Sequence, residues 1–181
     1  MAEVTIAIVD VDYRGSGARA ACVIAESWSS SIPLASHVVD IDSVEAYEPG
    51  AFYRRELPCL LQVLRLPASP PDVVVIDGYV WLSDASRAGL GAYLYQAMGA
   101  RTPVIGVAKT AFHGAESCPV VASVLRGSSK KPLFVTATGM ELGIAAALVR
   151  AMVGEHRIPA LLAAADQLSR SGTAVGSDAG F

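Results

Sequence analysis

The first part of the chain consists of apolar runs separated by short polar turns. The runs cover residues 4–12, 19–26 and 32–41, and the turns between them, at 13–17 and 29–31, contain glycine or serine. Apolar runs of this length between turn residues predict β-strands that pair with their neighbours in the sequence. We therefore expect a sheet that begins with three antiparallel strands.

Two later runs contain no polar alternation. Residues 73–76 read Val-Val-Val-Ile and end at Asp77-Gly78, and residues 102–109 form a second apolar run that ends at Lys109. Strands without alternation are usually buried on both faces, which is typical of parallel strands in α/β domains. Such strands place the residues that follow them at an edge where ligands bind.

The remaining chain shows helical periodicity and one further hairpin. Helices are predicted at 52–64, at 85–98 with Asp84 as candidate N-cap, at 141–153 and at 160–169, and a hairpin at 118–125 and 132–136. This order resembles the ribonuclease H-like plan, an α/β fold with a mixed sheet flanked by helices. We predict a single domain over residues 1–170 and a disordered tail at 171–181, which is rich in Gly, Ser and Ala.

Charge and hydropathy narrow the classes of partner. The 181 residues carry a formal net charge of −3 and a mean hydropathy of +0.44. A negative net charge argues against a broadly basic surface that neutralises nucleic-acid phosphates, although Arg54-Arg55 and Lys130-Lys131 are local basic clusters. No stretch reaches the roughly 20 apolar residues of a membrane span. We expect no membrane association and a cytoplasmic location.

Two aspartates end apolar strands of the predicted sheet. Asp10 follows Val4, Ile6 and Ile8 on one face of the first strand, and Asp77 follows the buried run at 73–76. Strand-end carboxylates from neighbouring strands can bind Mg²⁺, which prefers hard oxygen ligands. Solvated or helix-capping aspartates at exposed strand ends would show the same pattern.

Glu56 lies near the start of the helix predicted at 52–64. If the helix reaches back to Phe52, Glu56 shares a stripe with Phe52, Leu60 and Val63 and faces the core. If the helix begins later, Glu56 is an exposed first-turn residue that is stabilised by the helix dipole. The spacing alone favours neither alternative.

Five segments taken together resemble the endonuclease V (deoxyinosine 3′-endonuclease) family. They are Asp10-Val-Asp-Tyr13, Ala46-Tyr-Glu-Pro-Gly50, Arg55-Glu56-Leu-Pro58, Pro71-Asp-Val-Val-Val-Ile-Asp77-Gly78 and Pro103-Val-Ile-Gly-Val-Ala-Lys109. The match extends from the first strand to Arg157-Ile-Pro159. Each motif alone is weak, and their occurrence together makes the resemblance specific.

The resemblance implies an endonuclease that uses Mg²⁺, with Mn²⁺ able to substitute, to hydrolyse a phosphodiester 3′ of inosine in DNA or RNA. It implies Asp10, Glu56 and Asp77 as metal ligands, and these three with Lys109 as the catalytic residues. Tyr47 would be a wedge that fills the gap left by the extruded base. The implied substrate-binding residues are Tyr47, Gly50, Arg55, Gly78, Gly89 and Gly106. We expect a monomer whose partner is inosine-containing nucleic acid.

Some positions depart from the family pattern. Met140 stands where the family has a histidine close to the metal, and Ser83 or Asp84 replaces a second histidine. Tyr79 begins a bulkier loop than in relatives, and Glu48 adds an acid to the loop that carries the wedge. These changes leave open an alternative function, that of a catalytically weak or inactive nucleic-acid-binding relative with altered base specificity.

Overall fold

The computed structural model describes residues 4–83 and 87–172. Its strands are β1 (Ile6–Arg14), β2 (Gly17–Ala25), β3 (Ala35–Ile41), β4 (Val73–Asp77), β5 (Val104–Ala108), β6 (Ala122–Val124) and β7 (Leu133–Thr138). Its helices are α1 (Phe52–Val63), α2 (Leu90–Ala97), α3 (Leu142–Ala151) and α4 (Ala160–Ser171), with a short 3₁₀ helix at Ala115–Ser117. None of the helices in the described ranges has the length and apolar character needed to span a bilayer.

The strands form one mixed sheet in the order β3-β2-β1-β4-β5-β7-β6. At its centre β1, β4 and β5 run parallel, as expected for strands without polar alternation. The antiparallel meander of β1, β2 and β3 extends one side, and the hairpin of β6 and β7 extends the other. The predicted α/β class, with a mixed sheet flanked by helices, is confirmed.

The sheet carries a separate hydrophobic core on each face. Because successive strand residues point to opposite faces, Ile8 and Val75 pack beneath α3 and α4. Val9 and Ile76 pack beneath α1 and α2 on the other face. The central strands are therefore covered on both sides, which explains why their sequences show no polar alternation.

Several predicted boundaries differ from the structure. The third strand begins at Ala35 rather than at residue 32, because Pro33 lacks the backbone N–H that a strand needs for its ladder. The sixth strand is confined to Ala122–Val124, since the residues before it form a turn in which the Val121 N–H bonds to the Cys118 carbonyl at 3.0 Å. The last helix continues to Ser171, and residues 173–181 of the predicted tail lie outside the described residues.

The second helix begins at Leu90, so the predicted start at residue 85 is wrong. The Leu82 N–H bonds to the Arg87 carbonyl at 2.9 Å and the Gly89 N–H bonds to the Val80 carbonyl at 2.8 Å. These backbone groups are therefore used in a loop and are not available for a helical turn. Asp84, the candidate N-cap, lies outside the described residues.

A buried arginine organises the segment between α3 and α4. The Arg126 guanidinium donates to the carbonyls of His156 at 3.1 Å, Arg157 at 3.3 Å and Gly154 at 3.4 Å, and also to that of Met152. These carbonyls come from the end of α3 and the chain that follows, which would otherwise leave polar groups without partners. Arg126 thereby fixes the point from which α4 starts.

Candidate active site

The register of the two central strands brings a pair of aspartates together. Parallel pairing of β1 with β4 places Val9 beside Ile76, so Asp10 and Asp77 follow side by side. Both continue the alternation of the face that α3 and α4 cover. The Ser169 hydroxyl of α4 donates to Asp10 Oδ2 at 2.7 Å, and Lys109 Nζ donates to Asp77 Oδ2 at 2.6 Å.

Glu56 approaches the same strand ends from the opposite layer of the fold. Because α1 does begin at Phe52, Glu56 shares the inward stripe with Leu60 and Val63, and it is only 7% exposed. The alternative of an exposed first-turn glutamate is therefore excluded. Burial, followed by the charges of Asp10 and Asp77, raises the pKa of Glu56 to about 8.

Asp10, Glu56 and Asp77 form a carboxylate cluster at the strand ends. Asp166 of α4 is its fourth member, and sequence reasoning missed it. It lines a narrow crevice together with Asp10, Asp77 and Lys109. Arg170, one turn further along the helix, forms an ion pair with it. The only signal in the sequence is an acid among the alanines and leucines of residues 160–168, where the helix would otherwise be apolar.

The charges of the cluster act on one another. Burial is the main cause that raises the pKa of Asp10, and the charges of Asp77 and Asp166 raise it further, against the bond from Ser169. Partial burial disfavours the ammonium of Lys109, but the bond and charge of Asp77 outweigh it and raise the pKa of Lys109. Lys109 is therefore a cation held among carboxylates.

The donor chemistry of the cluster suits a hard divalent cation. Carboxylate oxygens are the ligands that Mg²⁺ prefers, and mutual repulsion favours an added positive charge. Across residues 4–83 and 87–172, however, no three acidic, His or Cys side chains form a ready metal-binding group. In this arrangement the positive charge next to Asp77 is the ammonium of Lys109.

A pocket of about 270 Å³ opens beside Asp77, between the N-terminal ends of α1 and α2. Its lining is largely apolar and includes the rings of Tyr53 and Tyr79. The Tyr53 ring stacks on Tyr93 with 3.6 Å between centroids, and the Tyr79 hydroxyl donates to the Thr110 carbonyl at 2.8 Å. The two rings are thus held in place by neighbours outside the pocket.

Three of the predicted substrate-binding glycines line this pocket. They are Gly50, Gly78 and Gly89. Gly50 and Gly78 have φ values of 81° and 140°, which favour glycine. At Gly89 a Cβ atom would lie 2.5 Å from the Tyr79 carbonyl oxygen. The backbone therefore requires glycine at each position, and it leaves the pocket wall without side chains there.

The other predicted substrate-binding residues lie outside the pocket lining. Gly106 lies in β5, where a Cβ atom would be 2.5 Å from the Gly78 carbonyl oxygen, so it lets the turn after β4 pack closely. The Arg55 guanidinium lies 3.9 Å from the centroid of the Tyr13 ring. Tyr47 is 62% exposed on the loop before α1. Their roles toward a substrate remain predictions.

Solved structures confirm the fold. The mixed sheet with acidic residues at its central strand ends is ribonuclease H-like. A variant of Endonuclease V from Ciona intestinalis, solved with a 23mer DNA containing an inosine followed by a ribo-adenosine, matches with a TM-score of 0.80 at 20% identity and covers 94% of this chain and 85% of that one. Endonuclease V from Streptomyces avermitilis matches with a TM-score of 0.71 at 24% identity, covering 94% and 82%. At these identities the likeness shows the fold alone.

Residues 2–167 match the family model of Endonuclease V, and the chain belongs to that family. Endonuclease V of Xanthomonas oryzae pv. oryzae (strain PXO99A) is 36% identical over 112 residues, which is 61% of this chain and 46% of the relative. The Thermococcus kodakarensis protein of that name is 32% identical over 110 residues, 61% of this chain and 53% of the relative. The chain thus spans about half the length of these relatives.

The raised pKa of Glu56 predicts a pH-dependent effect of Glu56→Gln on stability. In the folded protein the pKa of Glu56 is about 8 against an ordinary value of 4.5, so the folded protein binds this proton more tightly than the unfolded chain does. The contribution of the bound proton to the free energy of unfolding is therefore fully present below about pH 4.5 and is lost as the pH rises through about 8. In EDTA, we expect Glu56→Gln to match wild type near pH 4.5 and to exceed it at pH 9, by on the order of a few kcal/mol in unfolding free energy.

Thermal denaturation of both proteins at the two pH values measures this difference. Glu45→Gln, which makes the same change at an exposed position, should leave the melting temperature close to wild type at both. A gap between Glu56→Gln and wild type that does not grow with pH would contradict the assignment of a buried, charge-opposed Glu56.

Proposed function

We propose that this chain is a metal-dependent endonuclease that hydrolyses a phosphodiester 3′ of inosine in DNA or RNA. One observation carries the proposal: Asp77 belongs to the carboxylate cluster and also lines the pocket of about 270 Å³. A nucleotide whose base entered the pocket would therefore lie with its neighbouring phosphates close to the carboxylates. Membership of the Endonuclease V family supports the same activity.

Four carboxylates would hold the metal ion, and we expect Mg²⁺ with Mn²⁺ able to replace it. They are Asp10, Glu56, Asp77 and Asp166. When bound, the ion supplies charge neutralisation at the phosphate and a water of lowered pKa. Because no three of these side chains form a ready group in the described residues, we infer that the ion pair between Asp77 and Lys109 opens when the ion binds.

The side chain of Lys109 would then be available to the substrate. Released from Asp77, its ammonium would donate to a phosphate oxygen and stabilise the negative charge that develops there. Its backbone is fixed, because the Arg157 guanidinium donates to the carbonyls of Lys109 and, at 2.6 Å, of Pro132. The lysine side chain can thus change partner while the strand end that carries it stays in place.

The pocket would receive the base. The rings of Tyr53 and Tyr79 offer flat apolar surfaces, and Gly50, Gly78 and Gly89 let the base approach the backbone. An inosine pairs weakly, so its extrusion costs less than that of a normal base. We propose inosine-containing nucleic acid as the partner; the monomeric state and the cytoplasmic location remain predictions.

A second candidate is a nucleic-acid-binding relative with little or no catalytic activity. Two observations favour it: the missing ready metal group in the described part of the chain, and Met140, which packs against the apolar core and offers no group that can transfer a proton. The two candidates differ in whether the protein cuts the strand that it binds.

Asp77→Asn tests the proposed nuclease activity. Wild type should cut inosine-containing oligonucleotides 3′ of the inosine in Mg²⁺ or Mn²⁺, should not cut in EDTA, and should leave matched oligonucleotides without inosine intact. Asp77→Asn should lower the cleavage rate by at least about 100-fold, because it removes a carboxylate shared by the cluster and the pocket. End-labelled substrates resolved to single nucleotides measure both the rate and the position of the cut.

Asp40→Asn is the matched control, since it makes the same change on the edge strand β3. It should cut at the wild-type rate. Binding of the inosine substrate without any cut by wild type, in either metal, would contradict the nuclease and leave the second candidate.

Tyr47→Ala tests the proposed wedge. Tyr47 is exposed on the loop that leads to Gly50 of the pocket lining, where its ring could stack on the bases beside an extruded inosine. Loss of base–aromatic stacking, worth about 1–3 kcal/mol, should weaken binding of an inosine duplex roughly five- to a hundredfold, with little change in melting temperature. Fluorescence anisotropy with inosine and normal duplexes measures the effect.

Tyr47→Phe keeps the ring and should bind like wild type. A Tyr47→Ala protein that still discriminates the two duplexes as well as wild type does would exclude the wedge.

Glu48→Ile should bind more tightly at low salt, because Glu48 pairs with Arg54 at 3.1 Å and its removal frees that cation for phosphate.

A further inference from the structure

Ser169 is a polar residue on the apolar face of α4. Its side chain is fully buried, and the buried helix residues beside it are Leu161, Leu162, Ala165 and Leu168. A hydroxyl in such surroundings is costly unless it forms a hydrogen bond. The partners of Ser169 therefore explain what the hydroxyl does at this position.

The hydroxyl lies within bonding distance of two acceptors. Asp10 Oδ2 is 2.7 Å away and the Asp166 carbonyl oxygen, three residues back in the helix, is 2.8 Å away. A serine has a single proton to donate. A carboxylate is a stronger acceptor than a carbonyl, and a short O–H···O bond is typical of a charged acceptor. The proton of Ser169 therefore goes to Asp10.

The end of α4 that carries Ser169 is fixed to the same strand as Asp10. Arg14 of β1 donates from Nη2 to the Ser169 carbonyl at 3.0 Å and also to the Arg170 carbonyl. These carbonyls belong to the last turn of the helix, where no intrahelical donor is available. Arg14 thus holds the backbone of Ser169 against β1, and the hydroxyl is directed at the aspartate of that strand.

We propose that Ser169 is a positioning residue that fixes the orientation of the Asp10 carboxylate for a divalent cation. The bond engages Oδ2, so Oδ1 is the oxygen that would be available to a metal ion. Partners that orient a ligating carboxylate affect metal affinity although they do not touch the metal. Ser169 also lies three residues from Asp166 on α4, so its bond to Asp10 links the helix that carries one carboxylate to the strand that carries the other. This inference rests on the proposed metal-dependent function.

Mn²⁺ titration by isothermal calorimetry, without nucleic acid, tests the role of the hydroxyl. Ser169→Ala removes the donor, and Ser169→Cys fills the same space with a weak donor. We expect the Kd for Mn²⁺ to rise about 10- to 100-fold in both variants. Ser171→Ala is the control, because Ser171 also bonds to a carbonyl of its own helix, that of Gln167 at 2.8 Å; it should bind Mn²⁺ like wild type.

The outcomes separate this inference from the proposal on which it rests. Wild-type affinity in Ser169→Cys would overturn the inference, because filled space rather than a donated proton would then be what the site needs. An unchanged Kd in Ser169→Ala would overturn it as well. If wild type itself bound no Mn²⁺, the metal-dependent nuclease would be contradicted, and the inference would fall with it.

In an Asp10→Ala background the serine should no longer matter. We expect Ser169→Ala to change the Kd of that variant by less than about twofold, because the side chain that the hydroxyl orients is gone. A full 10-fold loss in this background would show that Ser169 acts through some other contact and would overturn the inference.

Discussion

Repulsion among buried and partly buried carboxylates is the constraint on which this structure depends. Burial raises the pKa of Asp10 and of Glu56, and the neighbouring charge of Asp77 raises both further, because little water screens these charges. Such a cluster is unfavourable for folding unless a cation balances it. Lys109 provides one positive charge beside Asp77, and the proposed metal ion would provide more. The same repulsion that opposes folding therefore favours metal binding.

The carboxylates of the cluster come from the sheet and from the helices on both of its faces. Asp10 and Asp77 end neighbouring strands of the sheet, whereas Glu56 comes from α1 on one face and Asp166 from α4 on the other. Neither helix could hold its acid in place alone. Arg126 fixes the start of α4 and Arg14 its end, and the buried stripe of α1 fixes Glu56. The arginines thus stabilise the scaffold that holds the carboxylates of the proposed metal site.

The sequence predicted the features that follow from strand patterning. Apolar runs without alternation identified β4 and β5, and the polar residues that end these runs, Asp77 and Lys109, were identified as candidate site residues. The burial of Glu56 could not be decided, because it depends on where α1 begins and hence on tertiary packing. Asp166 was missed, because only packing shows that a single acid in an alanine-rich helix faces the strand ends. The predicted start of α2 was wrong, because the backbone hydrogen bonds of the loop at residues 80–89 cannot be inferred from helical spacing.

In the proposed function, carboxylates from the sheet and from both helical layers bind one metal ion. Anomalous diffraction from crystals soaked in Mn²⁺ tests it most directly, because the ion identifies its own ligands. We expect an anomalous peak within bonding distance of Asp10 and Asp77, with Lys109 turned away from Asp77 and with Glu56 or Asp166 completing the site. A Mn²⁺ peak elsewhere, with the Asp77–Lys109 ion pair intact, would contradict it.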